Sequence, residues 1–201
     1  MIETMARYDS SHDKYHVERV RKTALAIAKQ VSPSPDLFIV EMAALLHDVV
    51  DKKYVPAQVS ADPYSFFQPY FTSWAKEYGV DLNEDGRGRT IVRVMDNVSW
   101  STEKKLRESS QWTEWHDTCV ELHCTQDADR LDAIGALGIL RCAAYTSAVN
   151  KPLYTSTEDP ERPFTVIQHF HDKLLKICTQ LKTQPGKKMG AKRHQVVRIS
   201  P

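Results

Sequence analysis

Histidine and aspartate side chains, the ordinary nitrogen and oxygen ligands of divalent metal ions, recur in three distant segments of this chain. The segments are SHDKYHVERV (11–20), HDVVDKK (47–53) and DADRLDA (127–133). The second one closes the apolar run EMAALL, where burying polar groups costs free energy unless a partner satisfies them. A metal ion is such a partner, so the three segments together indicate a divalent metal site.

Helical spacing decides which of these side chains can face one ion. His12 and His16 are four residues apart, so a helix places them on one face. Asp127 and Asp129 point about 200° apart around a helix, so only one of them can face a given ion. Asp129 and Asp132 are three residues apart and can share a face. The spacing therefore favours Asp129 over Asp127 as a ligand, with Asp132 beside it.

A second cluster, formed by His116, Cys119, His123 and Cys124, has the composition of a zinc site. On one helix, however, His116 and His123 would be about 10.5 Å apart along the axis, at 1.5 Å per residue. Ligand bonds to zinc are only about 2 Å long, so one ion cannot bind both rings. We expect this cluster to be structural.

Composition is typical of a soluble globular protein. The 201 residues suffice for one domain with a substantial core, and 41% of them are hydrophobic and 26% charged. A net charge of +1 gives no reason to expect binding to nucleic acid or membranes, and no apolar run approaches a membrane span. Four cysteines without a CxxC pair are typical of reduced thiols. We expect a cytoplasmic protein, with a nuclear location also open, that is a monomer or a homodimer.

Apolar periodicity predicts helices through most of the chain and gives no convincing strand pair. Prolines make 55–70 look irregular or only partly helical, and NEDGRGR at 83–89 is typical of a turn. These patterns predict a single all-α domain. The predicted helices cover 15–31, 37–50, 71–78, 90–98, 112–144 with a break at its glycines, and 164–181.

The order of the motifs resembles that of the HD-domain metal-dependent phosphohydrolase superfamily. SHDKYHVERV, AALLHDVVDKK, DADRLDAIGALGI, FHDKLLK and TQPGKKMGAKRH are similar to its YedJ/YpgQ-like branch, over residues 10–195. The resemblance implies one HD-domain helical bundle spanning residues 1–201. It also implies one divalent ion, with Mn²⁺ favoured and Mg²⁺, Ni²⁺ or Co²⁺ possible. The implied metal ligands are His16, His47, Asp48 and Asp129.

The same resemblance suggests roles for other polar residues. Asp51 falls where related ppGpp hydrolases have an acidic residue, so we expect it to orient or deprotonate the attacking water. A polyphosphate needs more positive charge than one ion supplies. The residues expected to bind phosphates are Arg19, Lys52, Lys53 and Lys173. His12 and Asp132 are expected to contact either the metal ligands or the substrate, and His12 could protonate the leaving group.

The leading functional hypothesis is an enzyme that splits nucleoside or deoxynucleoside triphosphates into a monophosphate and pyrophosphate. A 5′-nucleotidase, or another phosphomonoesterase or phosphodiesterase of the superfamily, is the nearest alternative. A di-iron oxygenase is disfavoured because no histidine lies between His47 and His116 to hold a second iron. A non-catalytic sensor is disfavoured because the four ligands and Asp51 are all present.

Overall fold

The computed structural model of this chain describes residues 13–49, 55, 58 and 61–198. Within these ranges the chain forms ten α-helices and two 3-10 segments, without a β-strand, which confirms the predicted all-α class. None of the described helices is both long and apolar enough to cross a membrane. The helices are α1 (Lys14–Ala28), α2 (Leu37–Leu46), α3 (Pro63–Tyr78), α4 (Arg87–Asp96), α5 (Trp100–Glu108), α6 (Glu114–Thr118), α7 (Val120–Asp132), α8 (Gly135–Ala148), α9 (Val166–Asp172) and α10 (Gln184–Val197), and the 3-10 segments are Arg162–Phe164 and Leu174–Gln180.

Helices α1, α2 and α7 pack against one another at the centre of the fold. Ala24, Ala44 and Ala128 are fully buried there, and their small side chains let the helix backbones approach closely. Apolar residues of α9, the second 3-10 segment and α10 complete this core. A second apolar cluster joins α2 to α3 and α4. The central three helices fix the relative positions of the segments that carry the histidines and aspartates.

Local caps set the ends of the central helices. The Asp13 carboxylate accepts a backbone hydrogen bond of 2.8 Å from the first turn of α1, and Asp36 does the same for α2. Helix α2 ends at Leu46 and a turn follows at 47–49, whereas the sequence predicted a helix over 37–50. His47 and Asp48 therefore lie in the turn that follows α2, so the helix does not fix the directions of their side chains.

The segment 55–70, predicted to be irregular or only partly helical, is helical from Pro63 onward, so the helix starts earlier than the predicted residue 71. Helix α3 begins at Pro63 and includes Pro69. A proline in the first turn of a helix loses no hydrogen bond, because the amides of that turn have no partner within the helix. The Asp62 carboxylate accepts from the Ser65 amide at 3.1 Å and caps this start.

Two long predicted helices are divided in the structure. The segment 112–144 contains α6, α7 and α8, with breaks at Cys119 and at Ala133–Ile134. The segment 164–181 contains α9 between two 3-10 segments. Helices α5 and α10 were not predicted, because apolar periodicity is weak in both.

After the break between α7 and α8, the beginning of α8 packs against the end of α7. Gly138 approaches Ala133 so closely that a β-carbon at residue 138 would collide with the Ala133 carbonyl group. Arg141 then reaches the end of α7 and donates from Nη1 to the Asp132 carbonyl oxygen at 3.2 Å. This turn brings a cation of α8 beside the aspartates of α7.

Candidate metal centre

Four side chains from α1, α7 and the turn after α2 meet at one point. His16 Nε2 lies 3.4 Å from Asp48 Oδ2 and 3.6 Å from Asp129 Oδ1. His47 Nε2 lies 3.4 Å and 3.9 Å from the same two oxygens. Two atoms that bind one ion through bonds of about 2 Å have separations of this size. The structure therefore brings together the four side chains that the sequence named as metal ligands.

The hydrogen bond of the His47 ring leaves its second nitrogen as an acceptor. Nδ1 lies 2.9 Å from the Ala44 carbonyl oxygen, which can only accept, so Nδ1 carries the proton. In the neutral ring, Nε2 is then the lone-pair nitrogen, and within the described part of the chain it has no hydrogen-bond partner. The side chain is 4% exposed. A buried acceptor that faces carboxylates is costly unless a cation binds it, so the residues present fit a metal ion.

Asp132 orients the other histidine in the same way. His16 Nδ1 lies 2.8 Å from Asp132 Oδ2, so a proton on Nδ1 leaves Nε2 facing Asp48 and Asp129. Burial lowers the pKa of His16, but the hydrogen bonds to Asp132 and Asp48 outweigh burial and raise this pKa to about 9. A divalent ion would compete with that proton for Nε2.

Two guanidinium groups hold Asp132. Arg19 donates from Nε and Nη2 to the two carboxylate oxygens at 2.9 Å and 3.0 Å, and Arg141 Nη1 lies 2.9 Å from Oδ2. Burial raises the pKa of Asp132, but the hydrogen bonds from His16 and Arg19 outweigh it and hold this pKa well below its usual range. The carboxylate is therefore ionised at neutral pH and fixes the orientation of the His16 ring.

Solvent reaches this cluster from one side. The side chain of Asp129 is 28% exposed, whereas those of His16, His47 and Asp48 are 2%, 4% and 11% exposed. A substrate would therefore approach the four side chains from the Asp129 side.

Known proteins with the same fold identify the family. No protein-family model matches the chain. The uncharacterized protein YpgQ of Bacillus subtilis (strain 168) is 31% identical to it over 185 residues, which are 92% of this chain and 78% of YpgQ. This chain belongs to the HD superfamily of hydrolases, in its YpgQ-like branch.

Solved structures of HD proteins agree with this assignment. The crystal structure of Bacillus subtilis YpgQ in complex with ADP has a TM-score of 0.66 and 26% identity, and the match covers 96% of this chain and 87% of that one. An HD-superfamily hydrolase from Bacillus thuringiensis has a TM-score of 0.65 and 29% identity, covering 97% and 85% of the two chains. HD hydrolases bind divalent metals, and His16, His47 and Asp48 form a group that could hold one here.

Several residues predicted for this HD hydrolase lie outside the described residues. They are His12, Asp51, Lys52 and Lys53, and their roles stay predictions.

Arg19 and Asp132, which the sequence predicted near the substrate, form contacts within the cluster, and their predicted substrate-side roles stay predictions. They bind each other, and Asp132 binds His16, so both position a histidine of the cluster. Asp132 is the last residue of α7, and its carboxylate oxygens bind the guanidinium groups of Arg19 and Arg141 and the Nδ1 atom of His16. Lys173, by contrast, lines an open cavity of about 390 Å³ and remains a candidate phosphate ligand.

Asp127 holds the chain before α10. Its carboxylate accepts from the amides of Lys182 and Thr183 at 2.8 Å each, and from Thr183 Oγ1 at 2.7 Å. Gly186 packs so closely against Asp127 that a β-carbon there would collide with the carboxylate. Asp127 therefore has a structural role, in agreement with the spacing that favoured Asp129 as a ligand.

The two histidines of the second His/Cys cluster, His116 and His123, form hydrogen bonds within the chain. His116 Nδ1 accepts from the Thr113 amide at 3.0 Å, and its Nε2 lies 3.1 Å from Asn97 Oδ1. His123 Nε2 lies 2.8 Å from the His116 carbonyl oxygen. These contacts agree with the expected structural role.

Arg141 is the functional candidate that sequence reasoning missed. It lies nine residues after Asp132, and only the break at Ala133–Ile134 brings the two side chains together. Gly135 and Gly138 signal a break or a close helix contact, but periodicity cannot give the direction in which the chain turns.

Proposed function

We propose that this protein is a metal-dependent phosphohydrolase that splits nucleoside triphosphates into a monophosphate and pyrophosphate. The observation that carries the proposal is the proximity of four potential metal ligands on His16, His47, Asp48 and Asp129, whose four histidine–carboxylate distances are 3.4–3.9 Å. A divalent ion bound there would lower the pKa of a water molecule and neutralise charge that develops on a phosphoryl group.

The donor set favours an ion that accepts both nitrogen and oxygen. Two imidazoles and two carboxylates suit Mn²⁺, and Mg²⁺, Ni²⁺ or Co²⁺ could substitute. Asp132 and the Ala44 carbonyl oxygen each fix one ring so that Nε2 points into the site. Neither ring has to reorganise when the ion binds.

The remaining steps are assigned to residues that the sequence predicted for them. Asp51 would orient or deprotonate the attacking water, and Lys52, Lys53 and Lys173 would hold the phosphates. A nucleotide substrate is supported by the 31% identical relative YpgQ, for which a crystal structure in complex with ADP exists. Hydrolysis is supported by the HD-superfamily hydrolases with the same fold.

The proposal is tested by assaying the purified protein with Mn²⁺ against nucleoside triphosphates, diphosphates and monophosphates, with identification of the products. We expect a monophosphate and pyrophosphate from triphosphates with the wild type, and no turnover with Asp48→Ala. Release of orthophosphate from monophosphates would instead indicate a 5′-nucleotidase. No turnover of any phosphoanhydride or phosphoester would contradict the proposal.

Asp51→Asn tests the role of the predicted base. We expect it to slow hydrolysis by about 10²-fold, because a positioned base contributes at least this much, while Mn²⁺ affinity changes little. An unchanged rate would remove Asp51 from the mechanism and leave the metal site as proposed.

A further inference from the structure

The motif TQPGKKMGAKRH, at 183–194, begins at the N-cap of α10 and forms most of this helix. None of its residues is among the four proposed metal ligands. Helix α10 packs against both α7 and α8. Within the motif, Gly186, Gly190 and Arg193 follow one another at intervals of four and three residues, so they share one face of α10.

This face of α10 lies along α7. Gly186 packs against the Asp127 carboxylate, and a β-carbon at Gly190 would lie 3.7 Å from a methyl carbon of Leu131. Arg193 Nη1 then donates to the carbonyl oxygen of Leu131. The two glycines let the helices approach closely, and the arginine reaches the end of α7.

The last two carbonyl groups of α7 each accept a hydrogen bond from an arginine of another helix. Arg193 of α10 binds the Leu131 carbonyl oxygen, and Arg141 of α8 binds that of Asp132 at 3.2 Å. The last carbonyl groups of a helix lack partners within the helix and carry partial negative charge, which cations stabilise. The two guanidinium groups therefore hold the final turn of α7 from two sides.

The same turn of α7 carries two residues of the proposed metal centre. Leu131 lies between Asp129, a proposed ligand, and Asp132, whose Oδ2 lies 2.8 Å from His16 Nδ1. A shift of the Leu131 carbonyl would move both aspartates, because one helical turn contains all three residues.

Arg193 also packs against the turn that follows α7. Gly135 has a φ of +80°, a backbone conformation that favours glycine. A β-carbon at this residue would lie 3.4 Å from Cβ and Cγ of Arg193. The aliphatic part of Arg193 thus lies against the backbone of the turn, while its guanidinium group binds the end of α7.

We propose that Arg193 is a positioning residue of the metal centre, an inference that rests on the metal site of the proposed function. Its guanidinium group holds the Leu131 carbonyl oxygen and thereby fixes the final turn of α7, so that Asp129 faces the ion and Asp132 meets His16. Without this contact, the turn has to be ordered when the ion binds, and ordering a ligand at that step weakens binding.

The charge of Arg193, taken alone, would have the opposite effect on metal affinity. A positive charge near the site repels a divalent cation, so its removal should strengthen Mn²⁺ binding slightly. Loss of the contact to Leu131 should weaken Mn²⁺ binding. The direction of the change therefore separates the positioning role from a simple effect of charge.

Calorimetric Mn²⁺ titrations of Arg193→Met and Lys192→Met test the inference. Both substitutions remove one positive charge from α10, but Lys192 is exposed and the contact to Leu131 belongs to Arg193. We expect Arg193→Met to raise the Kd for Mn²⁺ about 10-fold, the lower end for residues that orient a metal ligand, and Lys192→Met to stay within about twofold of the wild type. Arg193→Lys, which keeps a cationic donor on a long side chain, should restore most of the affinity.

A purely structural role of Arg193 would change different quantities. It would lower the thermal midpoint of the metal-free protein, while the folded variant, titrated well below that midpoint, would bind Mn²⁺ like the wild type. The electron paramagnetic resonance spectrum of bound Mn²⁺ would also be unchanged, whereas displaced ligands alter its zero-field splitting. If Arg193→Met does not fold, Arg193→Gln provides the same comparison, because its shorter polar side chain does not reach the Leu131 carbonyl oxygen.

The outcomes separate this inference from the proposed function. An unchanged Mn²⁺ Kd and an unchanged spectrum in the folded Arg193 variant would overturn the positioning role and leave the function standing. If the wild type binds Mn²⁺ but hydrolyses no nucleotide, the function is overturned, and the Kd values still decide the role of Arg193. A wild type that binds no divalent ion would overturn both.

Discussion

Helix α7 carries two buried polar clusters on opposite sides, and they differ in how their polar atoms are satisfied. At 100° per residue, Asp127 and Arg130 of the DADRLD motif share one side, and Asp129 and Asp132 share the other. Asp127 accepts three hydrogen bonds from residues before α10. Arg130 Nη2 binds Glu103 at 2.6 Å, and Lys182 Nζ binds the same carboxylate at 2.6 Å.

On the Asp129 side, the potential metal-ligand atoms of two histidines and two aspartates face one another. The Nε2 atoms of His16 and His47 point at the carboxylates of Asp48 and Asp129, and Nδ1 of each ring is already bound elsewhere. On the Asp127 side, donors are paired with acceptors, so this cluster stabilises the fold without a further partner. A cluster of two imidazoles and two carboxylates around one point has the nitrogen and oxygen ligands that a divalent cation binds. The four predictions that follow test this difference, in order of decreasing expected effect.

Removing the carboxylate of Glu103, which binds both Arg130 and Lys182, should cause the largest loss of stability. Glu103→Ala leaves Arg130, whose side chain is 1% exposed, without its ion-pair partner, so we expect a loss of about 3–5 kcal/mol in the free energy of unfolding. Urea denaturation measures it. Glu108→Ala, which removes a 3.8 Å pair with Lys104 on the surface, is the control and should change stability by less than about 1 kcal/mol. Equal effects would mean that the buried cluster is not structural.

A divalent metal ion should stabilise the folded protein by binding the four proposed ligands. We expect Mn²⁺ at 100 times its Kd to raise the free energy of unfolding of the wild type by about 2.7 kcal/mol, since only the folded state holds the four ligands together. Asp48→Ala should remove this increase. A protein that gains no stability from Mn²⁺, Mg²⁺, Ni²⁺ or Co²⁺ would contradict the assignment of the cluster.

Substitutions of Asp132 and Asp127 in the DADRLD motif should distinguish the metal-binding side of α7 from its structural side. Asp132→Asn should weaken Mn²⁺ binding by about 10–100-fold, because the His16 ring loses its charged partner. It should also lower stability, because Arg19 and Arg141 lose their ion pairs with this carboxylate. Asp127→Asn should leave Mn²⁺ affinity unchanged and lower the thermal midpoint, because an amide group would face three donors. Calorimetric Mn²⁺ titrations and thermal melts of both variants provide the comparison, and reversed results would exchange the two roles.

The smallest expected effect is on the pH dependence of stability. Burial raises the pKa of Glu103, but the ion pairs with Lys182 and Arg130 outweigh it and lower this pKa from 4.5 to about 2. Because the folded-state pKa lies below the unfolded one, the stabilisation is complete above pH 4.5 and is lost as the pH falls toward 2. The stability difference between the wild type and Glu103→Gln should therefore shrink over this range in urea titrations. A constant difference would show that the charge of Glu103 does not contribute.

Much of this architecture could be predicted from the sequence, because it depends on local periodicity. The all-α class and the preference for Asp129 over Asp127 follow from helical spacing alone. The contacts of Asp127 and Arg141 could not be predicted, since each depends on a chain segment that returns from elsewhere in the fold. The start of α3 at Pro63 was missed because prolines were taken as breakers, although a first helical turn accepts them.

The most direct test of the central claim is anomalous diffraction at the manganese absorption edge from crystals grown with Mn²⁺. We predict one strong peak at bonding distance from Nε2 of His16, Nε2 of His47 and the carboxylates of Asp48 and Asp129. A peak at another group of side chains, or none at this cluster at saturating Mn²⁺, would contradict the account.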